Sequence, residues 1–224
     1  MRRAHRNTLN TLSLIGTAAV ATVAAAATAG WTFLNGGTLV ASSHTNLRFE
    51  TVDSGAHLDC GYSRAKSTAM SGSELSGIDM VSIEEIEFSS PSNPDGSGLC
   101  SASAGYTGRV IPKGLPWKFQ AGGFDAATGT VTGKVTGVSV SVEFSDYCQV
   151  DFTAPGGGPG EVYIRYKNST GEILIDRSDG RGTNLVIEKT NGLCDPIAVR
   201  VGDRVMMSGG YEVEGVEKPV VTSP

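Results

Sequence analysis

The chain has 224 residues, a net charge of −5 and only 18% charged residues. A mildly acidic chain has no electrostatic attraction to nucleic acid or anionic lipid, so we expect neither as a partner. The length allows one well-packed core or two small ones.

Residues 1–29 predict a secretory signal peptide. Arg2, Arg3 and Arg6 form a basic start, and an apolar, alanine-rich run follows over residues 12–29. The run ends in Ala27-Thr28-Ala29, a small-x-small sequence of the kind that signal peptidases cut after. An uncleaved membrane anchor is the alternative, although alanine and threonine insert weakly into a bilayer. We therefore expect a secreted protein, released or loosely associated with the cell surface, with no membrane span once the signal is removed.

After the signal, the sequence predicts an all-β protein. It is rich in Gly, Ser, Thr and Val, and short alternating runs are separated by turn residues, the pattern of antiparallel strands. We expect a two-sheet β-sandwich, with closure into a barrel as an alternative. The main predicted strands cover residues 38–42, 46–52, 57–63, 81–88, 102–111, 117–120, 131–144, 148–153, 161–167, 172–176, 185–189, 197–201, 204–208 and 211–214.

In two of these strands the apolar residues change from odd-numbered to even-numbered positions partway along. Val138, Val140 and Val142 alternate with polar residues, but Val131 and Val135 upstream lie on odd positions. A one-residue slip would turn every side chain to the other face, so we predict a β-bulge or sharp bend at Gly137. The same change from odd to even apolar positions occurs across Glu84-Glu85. A short helical turn is the alternative to a bulge there.

Turn residues connect the predicted strands. Residues 125–129 begin with Asp and end with Gly, and residues 168–171 begin with Asn and end with Gly, so both predict hairpin loops. Residues 93–98 and 155–160 are rich in Gly and Pro and predict surface loops.

The four cysteines, Cys60, Cys100, Cys148 and Cys194, predict two disulfides, as expected for an even number in an exported chain. We favour Cys60–Cys100 and Cys148–Cys194, because the spacings are similar and the tripeptide Gly-Leu-Cys recurs at Cys100 and Cys194. A zinc site is the alternative, but no cysteines lie close together in the sequence and none has an adjacent histidine. The repeated tripeptide and the similar spacings also suggest two related halves, about 38–110 and 130–214, within a single all-β domain over residues 30–224.

One set of turn and strand sequences comprises residues 113–117, 124–133, 166–171, 192–194, 202–203 and 208–211. Together with the order of the cysteines, these segments resemble a set of small secreted, β-rich, four-cysteine proteins of actinobacteria that have no known activity. The resemblance covers most of the chain after the signal and implies export and a β fold. It supplies no catalytic residues.

The candidate catalytic groups do not form a recognisable motif. His57 and Asp59 would share a strand face, as in the His–Asp part of a nucleophilic triad, but no Gly-x-Ser-x-Gly sequence accompanies them, and His44 lies in a predicted turn. The carboxylates Glu84, Glu85 and Glu87 could act in glycoside hydrolysis, although such a cluster is typical of a solvated edge strand.

Residues 176–182 only faintly resemble a calcium loop. The aromatic residues could line a carbohydrate or peptide surface, but they also suit the core; they are Trp31, Trp117, Tyr106, Tyr166 and Tyr211.

We therefore predict no catalytic, metal-binding or cofactor-binding residues and no cofactor. The expected function is a non-enzymatic binding or structural role outside the cell, with an unknown extracellular or cell-wall ligand. Two alternatives remain open: a pore or envelope-channel component, and a secreted hydrolase or hydrolase inhibitor.

Overall fold

The structure, a computed structural model, describes residues 30–89, 97–178 and 180–223. The predicted signal peptide and most of the loop at 93–98 lie outside the described residues. Every strand pairing is antiparallel. The strands are β1 (Trp31–Leu34), β2 (Gly37–Ser43), β3 (Leu47–Thr51), β4 (His57–Cys60), β5 (Ser63–Ala69), β6 (Gly72–Leu75), β7 (Val81–Phe88), β8 (Cys100–Ala102), β9 (Thr107–Lys113), β10 (Trp117–Asp125), β11 (Thr130–Phe144), β12 (Gln149–Thr153), β13 (Gly160–Lys167), β14 (Glu172–Ile175), β15 (Val186–Thr190), β16 (Val205–Ser208), β17 (Gly210–Val213) and β18 (Val220–Thr222).

Eight of these strands close into a barrel. They pair in the order β10-β7-β5-β2-β17-β14-β13-β11, and β11 pairs again with β10. The prediction of an antiparallel all-β fold is confirmed, and the barrel closure that the sequence left open is present. Within the described residues no helix is long and apolar enough to cross a membrane.

The remaining large strands form a second ring that shares β11 with the barrel. On one side of β11 the order is β9-β8-β4-β3-β16, and on the other side β12 pairs with β15. A bridge between Val186 and Arg204 brings β15 to β16. Two backbone hydrogen bonds support this contact, from Val205 N to Leu185 O (3.0 Å) and from Ile187 N to Asp203 O (2.8 Å).

The shared strand β11 changes partners at its middle. Its first half pairs with β10 and β13 in the barrel, and its second half pairs with β9 and β12 in the second ring. The register with β13 shifts between Thr136 and Val138, and Gly137 has a φ of 83°. The predicted bulge at Gly137 is therefore confirmed, and it lets the odd-numbered Val135 and the even-numbered Val138 and Val140 line the same cavity.

A second predicted irregularity lies on the barrel wall. In the pairing of β5 with β7, Lys66 lies opposite Glu85 while Ser67 lies opposite Ile83, which leaves Glu84 as the extra residue of a bulge. The strand continues through this point to Phe88. The shift of apolar positions along β7 is therefore caused by a β-bulge, and the alternative prediction of a helical turn is wrong.

A small three-stranded sheet covers the outer end of the barrel. It has the order β18-β1-β6, and we call it the lid. Asn168, in the β13–β14 turn, fastens it: Asn168 Nδ2 donates to Val221 O (2.8 Å) and Val221 N donates to Asn168 Oδ1 (2.9 Å). The lid thus lies at one end of the barrel, and Phe49 and Met207 of the second ring lie at the other.

Both predicted disulfides are present. Cys60 is bonded to Cys100 and Cys148 to Cys194. The first bond joins the end of β4 to the start of β8, and the second joins the start of β12 to the loop that precedes β16. The preferred connectivity is confirmed.

The predicted strand at 197–201 is wrong, because this segment forms turns. Ile197 N donates to Asp195 Oδ1 (2.9 Å), and both Ala198 N and Val199 N donate to Asp195 O (3.1 and 2.9 Å). An Asp that binds the backbone of the following residues competes with strand pairing in this way. The segment lies beside the Cys148–Cys194 disulfide.

The close packing where the barrel meets the second ring predicts a large effect for one glycine. A Cβ atom at Gly160 would overlap Leu185 Cδ2 and Val138 O. We expect Gly160→Ala to lower the free energy of unfolding by about 1–3 kcal/mol, as over-packing does. Gly158→Ala is the matched control, because a Cβ there makes only ordinary contacts of 3.9 Å. Urea unfolding of the two variants checks this, and an equal loss would contradict it.

Candidate functional site

The barrel encloses an apolar cavity of about 170 Å³. Inward-facing side chains of all eight barrel strands form its wall. They include Leu39, Ala65, Ile83, Phe119, Val135 and Val162. An eight-stranded barrel is just wide enough either to be filled by its own side chains or to hold one small ligand.

Small side chains on two neighbouring strands create this space. Ala41 of β2 lies directly opposite Ala65 of β5, and the next inward residue of β5 is Ser67, opposite Leu39. Ala41, Ala65 and Ser67 all line the cavity. A cross-strand pair of alanines leaves a gap that a pair of larger residues would fill.

The few polar atoms along the cavity already have partners within the protein. Tyr166 Oη donates to Pro219 O at 2.6 Å, and Ser67 Oγ lies 3.5 Å from Leu39 O. Tyr211 Oη lies 2.8 Å from Ser63 Oγ. Burial raises the pKa of both tyrosines, which keeps these hydroxyls protonated. The cavity therefore offers a ligand an almost purely hydrocarbon surface.

Residues of the lid and of the second ring line the two ends of the cavity. At the lid end, Phe33, Pro219 and Val221 face the interior. At the opposite end, Phe49 and Met207 of the second ring complete the wall.

His57 and Asp59 come near each other without forming the hydrogen bonds of a triad. His57 Nε2 lies 3.8 Å from Asp59 Oδ2, whereas Arg48 binds both carboxylate oxygens of Asp59 at 2.7 Å. On the other side of the ring, His57 Nδ1 lies 3.2 Å from both Ser103 Oγ and Gly55 O. Asp59 is therefore committed to the arginine and does not orient the histidine.

This ion pair predicts a pH-dependent stability. The hydrogen bond from Arg48 lowers the pKa of Asp59. The pairing thus stabilises the folded protein above the unfolded-state pKa of about 3.9, and the contribution is lost as the pH falls through the lower folded-state value. We expect Asp59→Asn to cost about 1 kcal/mol at neutral pH and less at pH 2, which lies below the unfolded-state pKa. Urea unfolding at both pH values checks this; an equal penalty at the two would contradict it.

The predicted carboxylate cluster lies on the outside of the barrel. Glu84, Glu85 and Glu87 are exposed on β7, and Glu85 pairs with Lys66 at 3.2 Å. The interpretation as an edge strand is wrong, because β7 lies between β5 and β10.

The other polar candidates are separate from the cavity. His44 Nε2 lies 3.3 Å from Glu172 Oε1, and Asp176 accepts a hydrogen bond from Ser178 N at 3.0 Å. Asp179, in the middle of the faint calcium-loop sequence, lies outside the described residues. Among those that are described, no group of three His, Cys, Asp or Glu residues could hold a metal ion.

Three of the five aromatic candidates belong to the cavity wall. Trp117, Tyr166 and Tyr211 line it, whereas Trp31 is half-buried in the lid and Tyr106 is exposed at the far end of the second ring. The sequence reasoning missed the cavity itself. On β5, Ala65, Ser67 and Ala69 alternate with polar residues, but these inward side chains are too small to indicate a buried face in the sequence.

A comparison with protein families gives one match. The family described as alkane oxidation protein activator PraA/PraB-like matches residues 6–184, which is most of the chain. No curated protein and no solved structure matches it.

Proposed function

Because the chain belongs to the PraA/PraB-like family of alkane oxidation protein activators, we propose that it is a non-enzymatic binding protein that holds a saturated hydrocarbon inside its barrel. The observation that carries the proposal is the barrel cavity, whose wall is apolar and whose polar atoms are already hydrogen-bonded. The family description supports a hydrocarbon as the apolar ligand.

The cavity volume sets the size of the ligand. An engineered cavity of about 150 Å³ lined by Leu, Ile and Phe stays dry and binds benzene. The barrel cavity, at about 170 Å³, is slightly larger. It therefore suits an alkane of about six carbons, or that length of a longer chain. Removing six CH₂-sized groups from water contributes about 5 kcal/mol to binding, and the free energy of immobilising the ligand offsets part of this.

The same wall predicts strong discrimination against polar ligands. A carboxylate in the cavity would find no cation and no free hydrogen-bond donor, and an unpaired buried charge is far too costly to bind. A buried hydroxyl without a partner costs about 1–3 kcal/mol. We expect hexane to bind, 1-hexanol to bind at least several-fold more weakly, and hexanoate to show no binding at neutral pH.

The orientation of the barrel side chains supports a bound ligand rather than a pore. Membrane pores have an apolar exterior and a polar interior. Here β5 points Arg64, Lys66 and Thr68 outward and Ala65 and Ser67 inward. The predicted signal peptide and the two disulfides support a site of action outside the cytoplasm.

Titration calorimetry with dissolved n-hexane, 1-hexanol and hexanoate tests the proposal. Ala65→Leu fills part of the cavity, so we expect it to weaken hexane binding by about tenfold or more, since the lost space excludes about two methylene groups. Thr68→Leu, the matched control, adds a side chain of the same size to the outer face of β5 and should bind hexane like the wild type. No hexane binding by the folded wild type, or equal binding by the two variants, would refute the site.

A further inference from the structure

The second ring contains a cavity of its own, with a volume of about 230 Å³. Its inner wall is apolar and is formed by strands on several sides of the ring. Phe49 of β3 belongs to this wall and also lines the barrel cavity, so the two cavities are neighbours. The other large buried side chains of the wall are Leu58, Val150, Phe152, Ile187 and Val205.

The polar end of this cavity lies at the Phe144 end of β11, away from the barrel. It is formed by the β3–β4, β8–β9 and β11–β12 loops and by the segment that follows Cys194. Three hydrogen bonds join these segments to one another or to the adjoining strands, from Ser54 Oγ to Ala198 O (2.7 Å), from His57 N to Ser103 Oγ (2.7 Å) and from Thr107 N to Ser145 Oγ (3.2 Å). We call three of the lining residues at this end, Tyr106, Asp146 and Asp195, the ring mouth.

The Cys148–Cys194 disulfide holds the two carboxylates of the ring mouth near each other. Asp146 lies two residues before Cys148, and Asp195 directly follows Cys194. Each carboxylate uses one oxygen to accept a backbone hydrogen bond: Asp146 Oδ1 from Cys148 N (3.1 Å) and Asp195 Oδ1 from Ile197 N (2.9 Å). Within the described residues, neither carboxylate forms an ion pair. Both charges are therefore available to a ligand.

The other charged residues of the lining lie on the outer face of the β3–β4 hairpin. Glu50 and His57 alternate along their strands with residues of the inner wall, so their side chains point outward. There Glu50 Oε2 lies 3.8 Å from Arg48 Nη1, and His57 Nε2 lies 3.8 Å from Asp59 Oδ2. The charge that remains at the ring mouth is negative.

We propose that the second ring is a second ligand site, which takes an amphiphile with a cationic ammonium head and an apolar body of about eight carbons. The body lies against the inner wall and the head lies at the ring mouth. This site is separate from the hydrocarbon site proposed for the barrel, whose wall has no charged group. The proposal stands or falls independently of that function.

The size and chemistry of the second cavity define this ligand. A cavity of about 150 Å³ holds the six carbons of benzene, so about 230 Å³ suits a body of about eight carbons. An alkyl ammonium is charged at neutral pH, like a lysine side chain. It would contact both carboxylates and the exposed ring of Tyr106, which attracts cations to its face. A carboxylate head would be repelled by the same residues.

Titration calorimetry with three eight-carbon probes tests the choice of head group. The probes are n-octylammonium, 1-octanol and octanoate, which share one chain and differ in charge. We expect octylammonium to bind most tightly, 1-octanol several-fold more weakly, and octanoate at least tenfold more weakly than octylammonium. No binding of octylammonium, or octanoate binding as tightly, would overturn the proposal.

A pair of substitutions on β8 tests the position of the apolar body. Ala102 lies opposite the buried Leu58 and lines the cavity, whereas its neighbour Ser101 is exposed on the outer face. We expect Ala102→Leu to weaken octylammonium binding by about tenfold or more, because the larger side chain takes the space of about two methylene groups. Ser101→Leu should bind like the wild type. Circular dichroism establishes that both variants are folded, and equal binding by the two would refute the site.

The charges of the ring mouth are tested by a variant that keeps the backbone hydrogen bonds. In Asp146→Asn combined with Asp195→Asn, the amide oxygens still accept from Cys148 N and Ile197 N, but both charges are gone. We expect about five- to tenfold weaker octylammonium binding and unchanged 1-octanol binding. Glu84→Gln combined with Glu87→Gln makes the same change in net charge on the barrel exterior and should have no effect. An equal effect of the two double variants would contradict a role for the ring mouth.

Ala65→Leu, which fills part of the barrel cavity, separates the two sites. It should bind octylammonium like the wild type, because Ala65 lines the barrel cavity alone. Loss of octylammonium binding in this variant would place the amphiphile in the barrel and overturn the second site.

Discussion

Replacing both Cys60 and Cys100 by alanine is expected to lower the free energy of unfolding by about 4 kcal/mol, the largest loss for any single cross-link in this chain. The disulfide joins cysteines 40 residues apart and so closes a loop in the unfolded chain. When the disulfide is removed, the unfolded chain gains conformational entropy and is stabilised relative to the folded protein. Both cysteines are fully buried, and Ser89 Oγ lies 3.2 Å from Cys100 Sγ. Their removal therefore also leaves a void and a buried hydroxyl without this contact.

The second disulfide is the matched comparison. Cys148–Cys194 spans 46 residues, so the entropic contribution is nearly the same, about 4 kcal/mol. Cys194, however, is half-buried in an irregular segment, so its loss disturbs the core less. We expect the Cys148→Ala and Cys194→Ala double variant to lose about 1 kcal/mol less than the Cys60 and Cys100 variant. Urea unfolding of both measures this, and the reverse order would contradict the assignment of Cys60–Cys100 to the core.

Phe33→Ala is expected both to destabilise the protein and to open the cavity. Phe33 is buried in the lid, lies opposite Val221 and lines the cavity. Removal of a buried phenylalanine ring costs about 3–5 kcal/mol. Because the lid is a small sheet outside the barrel, part of this loss should appear as local opening of β1 and β18, seen as faster amide hydrogen exchange.

Phe49→Ala provides the control for the opening of the lid. Phe49 lines the opposite end of the same cavity and packs against Phe88 and Phe152, with ring centroids 5.8 and 6.3 Å away. Its removal should cost a similar amount, about 3–5 kcal/mol, without loosening the lid. NMR exchange of bound hexane should therefore accelerate in Phe33→Ala only. Equal acceleration in both variants would show that the lid is not the route of entry.

The parts of the fold that were predictable are those in which large apolar residues alternate with polar ones. β11 is the clearest case: Val131 and Val135 lie at odd positions and Val138 and Val140 at even ones, yet all four are buried, so a bulge between them is required. The repeated Gly-Leu-Cys sequence indicated the correct disulfides. The signal peptide, the actinobacterial origin and the division into one domain or two related halves stay predictions.

The lid and the cavity were not predictable, for two physical reasons. β1, β6 and β18 have three or four residues each and pair only with one another, so no single segment carries a period long enough to recognise. On β5, the inward positions Ala65 and Ser67 are too small to indicate a buried face. The small residues that leave space for the cavity therefore also prevent β5 from being recognised as a strand in the sequence.

A crystal structure of the protein grown or soaked with n-hexane tests the central claim most directly. The account predicts electron density for one hexane molecule along the barrel interior, between Phe33 and Phe49 and in contact with Ala41 and Ala65. No such density is expected with hexanoate at the same concentration. A barrel whose side chains fill the interior, with hexane absent or bound only at the surface, would contradict it.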